Sequence, residues 1–266
     1  MDGFETRDIA KVLDSAISRE QDYVTSEEAL AISVVTNEHG IQKLGVTMRT
    51  IGDDRNLVIG FLFSEGIINS IDDIETIEDN SEQITVSLGD DSGFDPDLHC
   101  RSGTVTSACG ICGRSTIDDR VHIHAPELDE KTSVGIDAIR VCLKEMKTRQ
   151  ILFSQTGGSH ACASFNMNCE ISRIFEDVGR HNAMDKLVGS YVSDEVFPKS
   201  ELLFVSGRAS FELVQKCLRI GFPIMIAIGG PTTLAVDLAK EHGLTLGCFA
   251  RSDSLTVYSG VRRIAQ

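Results

Sequence analysis

The 266 residues carry 40 acidic side chains against 25 Lys and Arg, a formal net charge of -15, and 41% of them are apolar. That balance repels nucleic-acid phosphates and anionic lipid, which are held largely by Lys and Arg, so neither nucleic acid nor a membrane surface is expected as a partner. No apolar run approaches the roughly 20 residues that span a bilayer, and the length suits one large domain or two modest ones, each with its own core.

The N-terminal stretch MDGFETRDIAKVLDSAISRE is acidic from Asp2 and lacks the unbroken apolar core of a secretion signal, so a cytoplasmic protein is expected. Ile9, Val12, Leu13, Ala16 and Ile17 fit one face of an amphipathic helix, which predicts a helix or flexible arm over residues 1–25. Residues 26–100 read as a small α+β domain. LAISVVTN and IQKLGVTM look like strands flanking the turn EHG, DDRNLVIGFLFSEG has an Asp cap and a Gly stop around a helix, and EQITVSL closes the unit as a further strand. The stretch GDDSGFDPDLHCRSG then abandons any period, and residues 101–130 form a connector.

From residue 131 to 266 strands alternate with helices. SVGIDAIRVCLKEMKTRQ has helical spacing, and it leads into ILFSQTGGSHACASF, read as a short strand ending at two glycines. CEISRIFEDVGRHNAMDKLVGSYV, LLFVSGRASFELVQKCLRIG and PIMIAIGGPTTLAVDLAKEHG repeat the scheme. Four strands delivering the chain to glycine loops predict a three-layer α/β domain with a largely parallel sheet, whose ligands bind beyond the carboxyl ends of the strands.

Beside those loops stand His160, Arg180, His181, Arg208, Thr232, Thr233 and Arg251. Glycine lets backbone N–H groups approach an anion, helix N-termini add positive potential, and Arg contacts phosphate oxygens in pairs. A tight turn and a solvated arginine explain any one loop. The recurrence in an acidic chain favours a phosphorylated or nucleotide-like ligand, although neither GxGxxG nor GxxxxGK[ST] occurs.

Eight cysteines without a signal peptide read as thiols, six of them scattered and two forming the CxxC of SACGICGR, Cys109 and Cys112. Three readings compete for the pair. Structural zinc would need His122 and His124 of VHIHAP as further ligands, but alternating VHIH is also a strand with one polar face. A thioredoxin-like dithiol belongs at a helix start after the first strand of a βαβ unit, not in a glycine-bearing connector. A mobile thiolate assisted by Arg101 and Arg114 could instead accept a group and hand it on. Zinc-dependent deamination is excluded on the residues: in SHACA, His160 has the expected setting after a strand and at a helix start, but Cys162 stands where the acid/base Glu is required, and the CxxC lies upstream.

Taken together, MRTIGDDRNLVIGFLFSEGII, SACGICGR, TGGSHACA, EDVGRHNAMDKLVG, SGRASFELVQK and GGPTTLAVDLAKEHGLTLGCFAR resemble the FdhD family of formate dehydrogenase sulfurtransferases, from about residue 26 to the C-terminus. The resemblance implies a cytidine-deaminase-like C-terminal domain preceded by a smaller α+β domain. It implies a relay in which a cysteine desulfurase gives persulfide sulfur to Cys109, assisted by Cys112. The sulfur then passes to a molybdenum or tungsten bis(pyranopterin guanine dinucleotide), the Mo-bis(molybdopterin guanine dinucleotide) type of cofactor, bound as substrate before insertion into apo formate dehydrogenase. Phe249, Ala250, Arg251, Ser252, Asp253 and Ser254 match the stretch to which cofactor binding is assigned, although Asp253 stands where Gly or a basic residue is more usual. Arg180, His181, Arg208 and His160 complete the expected cofactor site. A homodimer without a tightly bound metal is expected. A cofactor-binding chaperone without thiol chemistry and a structural zinc module are the alternatives.

Overall fold

The computed structural model describes residues 3–14, 16–100 and 125–265. The chain opens with a hairpin, β1 (Phe4–Leu13) and β2 (Ala16–Thr25), which replaces the helix expected over Ile9 to Ile17. The same apolar residues satisfy both patterns, because positions equidistant from a short turn pair across a hairpin: Leu13 faces Ala16 and Val12 faces Ile17. β-branched and aromatic residues favour the strand solution, and the Phe4 and Tyr23 rings meet edge-on at 4.8 Å.

β3 (Glu28–Thr36) and β4 (Gly40–Arg49) pair antiparallel, and α1 (Asp54–Ser64) follows. β5 (Ile74–Asp79) and β6 (Gln83–Leu88) complete a four-stranded sheet in the order β4-β3-β6-β5. β5 carries little strand signal, since IETIED spaces its two isoleucines by three and fills the rest with acids and one threonine. The short helix α2 (Pro96–His99) precedes the connector. Cys109 and Cys112, with Arg101, Arg114, His122 and His124, lie outside the described residues.

The second unit begins with β7 (Val134–Gly135) and α3 (Ile136–Arg149). ILFSQT is not the expected strand but a helical turn, α4 (Ile151–Thr156). The Glu176 carboxylate accepts from the backbone N–H groups of Leu152 and Phe153 at 2.8 and 2.9 Å and so caps the helix from 23 residues away, while Gly157 closes it at φ 65. The strand starts only after the glycines, as β8 (His160–Phe165), so His160 opens a strand rather than a helix.

β9 (Ile171–Asp177), α5 (Arg180–Ser193), β10 (Leu202–Val205), α6 (Phe211–Ile220), β11 (Ile224–Ala227), α7 (Thr233–Glu241), β12 (Thr245–Cys248) and β13 (Thr256–Ser259) follow, and β14 (Ile264–Ala265) returns to pair with β7. The six-stranded sheet runs β13-β12-β11-β10-β8-β9. It is mixed rather than largely parallel: β10, β11 and β12 pair parallel, while β8 lies antiparallel between β9 and β10 and β13 antiparallel to β12. Alternation along the strands builds three layers. Leu203, Val205, Met225 and Ala227 face α5, α6 and α7, whereas Leu202, Phe204, Ile224 and Ile226 face α3.

The small sheet joins the same core. Leu30, Ile32, Val34, Ile84 and Val86 pack on Leu57, Val58 and Leu62 of α1, and the opposite side of α1 lies on α5. The two helices touch backbone to backbone at Gly60 and Gly189. A Cβ on Gly60 would stand 1.9 Å from the Asp185 carbonyl oxygen, and one on Gly189 would stand 1.8 Å from that of Asn56.

Candidate functional site

The carboxyl ends of β9, β10, β11 and β12 share one edge of the sheet, and the antiparallel β8 starts there. This topology gathers the residues picked from separate loops. His160 opens β8, Arg180 and His181 open α5 beyond β9, Arg208 follows β10, and Phe249 to Ser254 follow β12.

The loops interlock through close backbone approach. A Cβ on Gly229 would stand 2.8 Å from the Gly207 carbonyl oxygen and 2.9 Å from Arg208 N, while one on Gly207 would meet His160 Nδ1 and Arg180 Cδ at an ordinary 3.6 Å. Gly229 N–H donates to the Gly207 carbonyl at 2.9 Å, Ala209 N–H to Gly230 at 3.1 Å, and Phe249 N–H to Gly229 at 3.1 Å. Phe249 is left-handed at φ 52 and 45% exposed, and its ring occupies the space that a Gly230 side chain would need, 2.6 Å from that Cβ position. A non-glycine residue in this conformation costs about 1 kcal/mol or more, and here it leaves the phenyl ring partly exposed.

The two arginines beyond β10 and β12 differ. Arg208 is exposed at the rim. Arg251 is also exposed, but its Nη1 donates to the carbonyls of Ile228 and Ala250 at 2.8 and 2.9 Å, and its N–H reaches Ser254 O at 2.8 Å. It therefore braces the loop, while Nε and Nη2 have no partner among the described residues and are left for a ligand. Asp253 is exposed and accepts from the Ser254 hydroxyl. Arg180 Nε is buried with no hydrogen-bond partner among the described residues, a donor suited to an anion at the α5 N-terminus.

Below this edge His181, expected from the sequence, meets partners for which the sequence offers no signal. His181 Nε2 sits 2.8 Å from Glu212 Oε2 and 3.4 Å from Ser210 Oγ. Burial opposes ionisation of Glu212, but the hydrogen bond and charge of His181 prevail and hold its carboxyl below the usual range. Both partners use the same imidazole nitrogen, so the trio orients His181 and is not a nucleophile relay, which needs one partner on each nitrogen.

Asp177, wholly buried, accepts from Gly179 N–H at 2.8 Å and Asn182 Nδ2 at 3.0 Å on one oxygen. Its other oxygen takes Thr50 N–H at 3.1 Å and Lys186 Nζ at 2.8 Å. Lys186 also donates to Thr50 O, and Asn182 to Met48 O. The turn that presents Arg180 and His181 is thus tied to the end of β4.

Burial holds His160 below the ordinary histidine pKa, with Arg180 and His181 pushing the same way and Asp177 opposing. His160 therefore resists protonation. The unfolded chain binds the proton more readily, so this group's contribution to stability is present above about pH 6.5 and is lost as pH falls through the depressed folded value. An anion between His160 and Arg180 reverses the balance. Affinity for a pyrophosphate-bearing nucleotide is expected to rise as pH is lowered, with proton uptake. Calorimetry in buffers of different ionisation enthalpy measures that uptake, and His160→Gln should reduce it. An unchanged uptake would assign the proton to the nucleotide.

Comparison with known proteins follows the same lines. The pattern of the FdhD/NarQ family matches residues 25–265. The chain is similar to the sulfur carrier protein FdhD of Thermoplasma acidophilum, 38% identical over 98% of this chain and 93% of that one. It is also similar to the proteins of that name from Saccharolobus solfataricus, 39% identical over 97% and 96%, and Streptomyces avermitilis, 38% identical over 98% and 95%. Its fold matches the crystal structure of a protein from Desulfotalea psychrophila, described as a formate dehydrogenase accessory protein, with a TM-score of 0.80 at 24% identity over 99% and 100% of the two chains.

Proposed function

The chain belongs to the FdhD/NarQ family, and from that premise and the loop cluster we propose that it is a sulfur carrier for formate dehydrogenase. It takes sulfur from the persulfide of a cysteine desulfurase and passes it to a molybdenum or tungsten bis(pyranopterin guanine dinucleotide), which is its substrate. The observation that supports a nucleotide-bearing substrate is the convergence of His160, Arg180, Arg208 and the Phe249–Ser254 loop on one sheet edge in a chain of net charge -15. The Arg180 Nε and the α5 N-terminus suit a phosphate, and the exposed Phe249 side chain suits a planar base.

The thiol chemistry falls to Cys109 and Cys112. Cys109 thiolate attacks the terminal sulfur of the donor persulfide, the desulfurase thiolate leaves, and Cys109 holds the persulfide. Cys112 thiolate then attacks the inner sulfur, so the terminal sulfur departs as hydrosulfide toward the metal and a Cys109–Cys112 disulfide remains, which a dithiol reductant restores. Eight residues lie between Cys100 and Cys109, and nine chain steps span at most about 30 Å.

Incubation with a desulfurase and cysteine should add one sulfur mass to the peptide carrying Cys109. Cys109→Ala should abolish that gain and formate dehydrogenase activation while leaving the thermal midpoint and nucleotide binding close to the parent. Full activation by the Cys109→Ala, Cys112→Ala variant would overturn the relay in favour of a cofactor chaperone. GDP serves as the probe for the second half of the proposal. Arg208→Ala and Arg251→Ala should each weaken it by roughly tenfold to a hundredfold in calorimetry, the loss of one charge-assisted phosphate contact. Parent-like GDP binding by both variants would place the cofactor elsewhere.

A further inference from the structure

A second pair of thiols lies away from the loop cluster. Cys142 is fully buried on the sheet-facing side of α3, and Cys169 is partly exposed in the turn between β8 and β9. Cys169 takes φ 64, a left-handed conformation uncommon outside glycine. Its turn is laced by Cys169 N–H to Asn166 O at 3.0 Å and by Asn166 Oδ1, which accepts from the N–H groups of Asn168 and Glu170 at 2.9 and 3.1 Å. Cys169 Sγ contacts the Ala138 carbonyl at 3.7 Å. Ala138 is one helical turn before Cys142, so Cys169 Sγ lies against the turn of α3 that leads to Cys142, whose thiol is pushed well up by burial and by the neighbouring Cys169. Cys169 also lines a groove of about 440 Å³ with Val141, Glu145, Arg149 and Ile174.

We propose that Cys142 and Cys169 form an oxidisable dithiol, entered through Cys169 from this groove by a small-molecule disulfide. Cys169 loses its proton to solvent, and its thiolate attacks one sulfur of the reagent, so that a mixed disulfide forms and one thiolate leaves. Cys142, on losing its own proton, attacks Cys169 Sγ and expels the second thiolate. Two protein thiols are oxidised to one disulfide, the reagent disulfide is reduced to two thiols, and the protons released from the protein are those the leaving groups take up. The bond fastens α3 to the turn at the edge of the six-stranded sheet. Cys162 and Cys217 also lie near each other, but both are wholly buried and offer a reagent no entry, which makes them an internal control.

The test uses the full chain equilibrated at increasing ratios of glutathione disulfide to glutathione, then denatured, alkylated and mapped by mass spectrometry. Peptides carrying Cys142 and Cys169 should appear linked while Cys162 and Cys217 are recovered alkylated. The thermal midpoint should rise by roughly 5–10 °C. Cys169→Ser should lose the link and the rise while keeping the reduced parent's midpoint, and Cys142→Ser should leave Cys169 as the glutathione adduct. Recovery of both residues as free thiols at the most oxidising ratio, or of a parent Cys169–glutathione adduct that Cys142 never resolves, would overturn the proposal.

Discussion

Gly60→Ala is expected to abolish or severely reduce folded protein. The single added carbon would stand 1.9 Å from the Asp185 carbonyl oxygen and 2.7 Å from Gly189 N, against backbone atoms rather than a side chain that could swing away. Relief requires α1 and α5 to separate, and both belong to the central apolar cluster through Leu57, Val58 and Leu62 on one side and Met184, Leu187 and Val188 on the other. Overpacking that side chains can relieve costs about 1–3 kcal/mol, and a clash of fixed backbones should cost at least about 3 kcal/mol. Gly189→Ala should behave alike, because its Cβ would meet Asn56 O at 1.8 Å. Urea unfolding of soluble material measures the loss. A parent-like midpoint for either variant would mean that the helices cross further apart.

Lys186→Met should be nearly as damaging, by about 3–5 kcal/mol, because it strands a wholly buried carboxylate. Asp177 would keep the N–H groups of Thr50 and Gly179 and the amide of Asn182 but lose its only ion-pair partner among the described residues. Asp177→Asn in the same chain removes the charge that the first change left uncompensated. The double variant should therefore be less unstable than the sum of the two single ones. Additive losses in denaturant titrations would show that the two groups act independently. Both single variants should also weaken GDP, since Asp177 holds the turn from which Arg180 and His181 project.

Much of the β/α succession was legible because each of its later helices begins just after a glycine turn and carries an apolar face, as Leu213, Val214, Cys217 and Leu218 do on α6. The candidate loops were legible for the same reason: glycine beside arginine marks the points where strands deliver the chain. Three local failures have identifiable causes. The hairpin of β1 and β2 places its apolar residues at helix-compatible spacings, and α4 depends on the Glu176 carboxylate, a cap supplied from another strand. The inverted β8 escaped notice because ILFSQT and HACASF are both short and largely apolar, and only the left-handed Gly157 says which side of the glycines is helical. The supports beneath the site were hidden more deeply. Nothing in SFEL advertises that Glu212 meets His181, and nothing near Thr50 indicates that its N–H binds a carboxylate 127 residues away.

The crossing of α1 and α5 also bears on how cargo can move. Many transfer proteins close two lobes around what they carry, using a hinge or layers that slide over interlocked side chains. Gly60 and Gly189 leave no such bearing surface, because a displacement along either helix axis would drive the neighbouring side chains into the opposing main chain. The scaffold is accordingly a fixed anvil rather than a jaw.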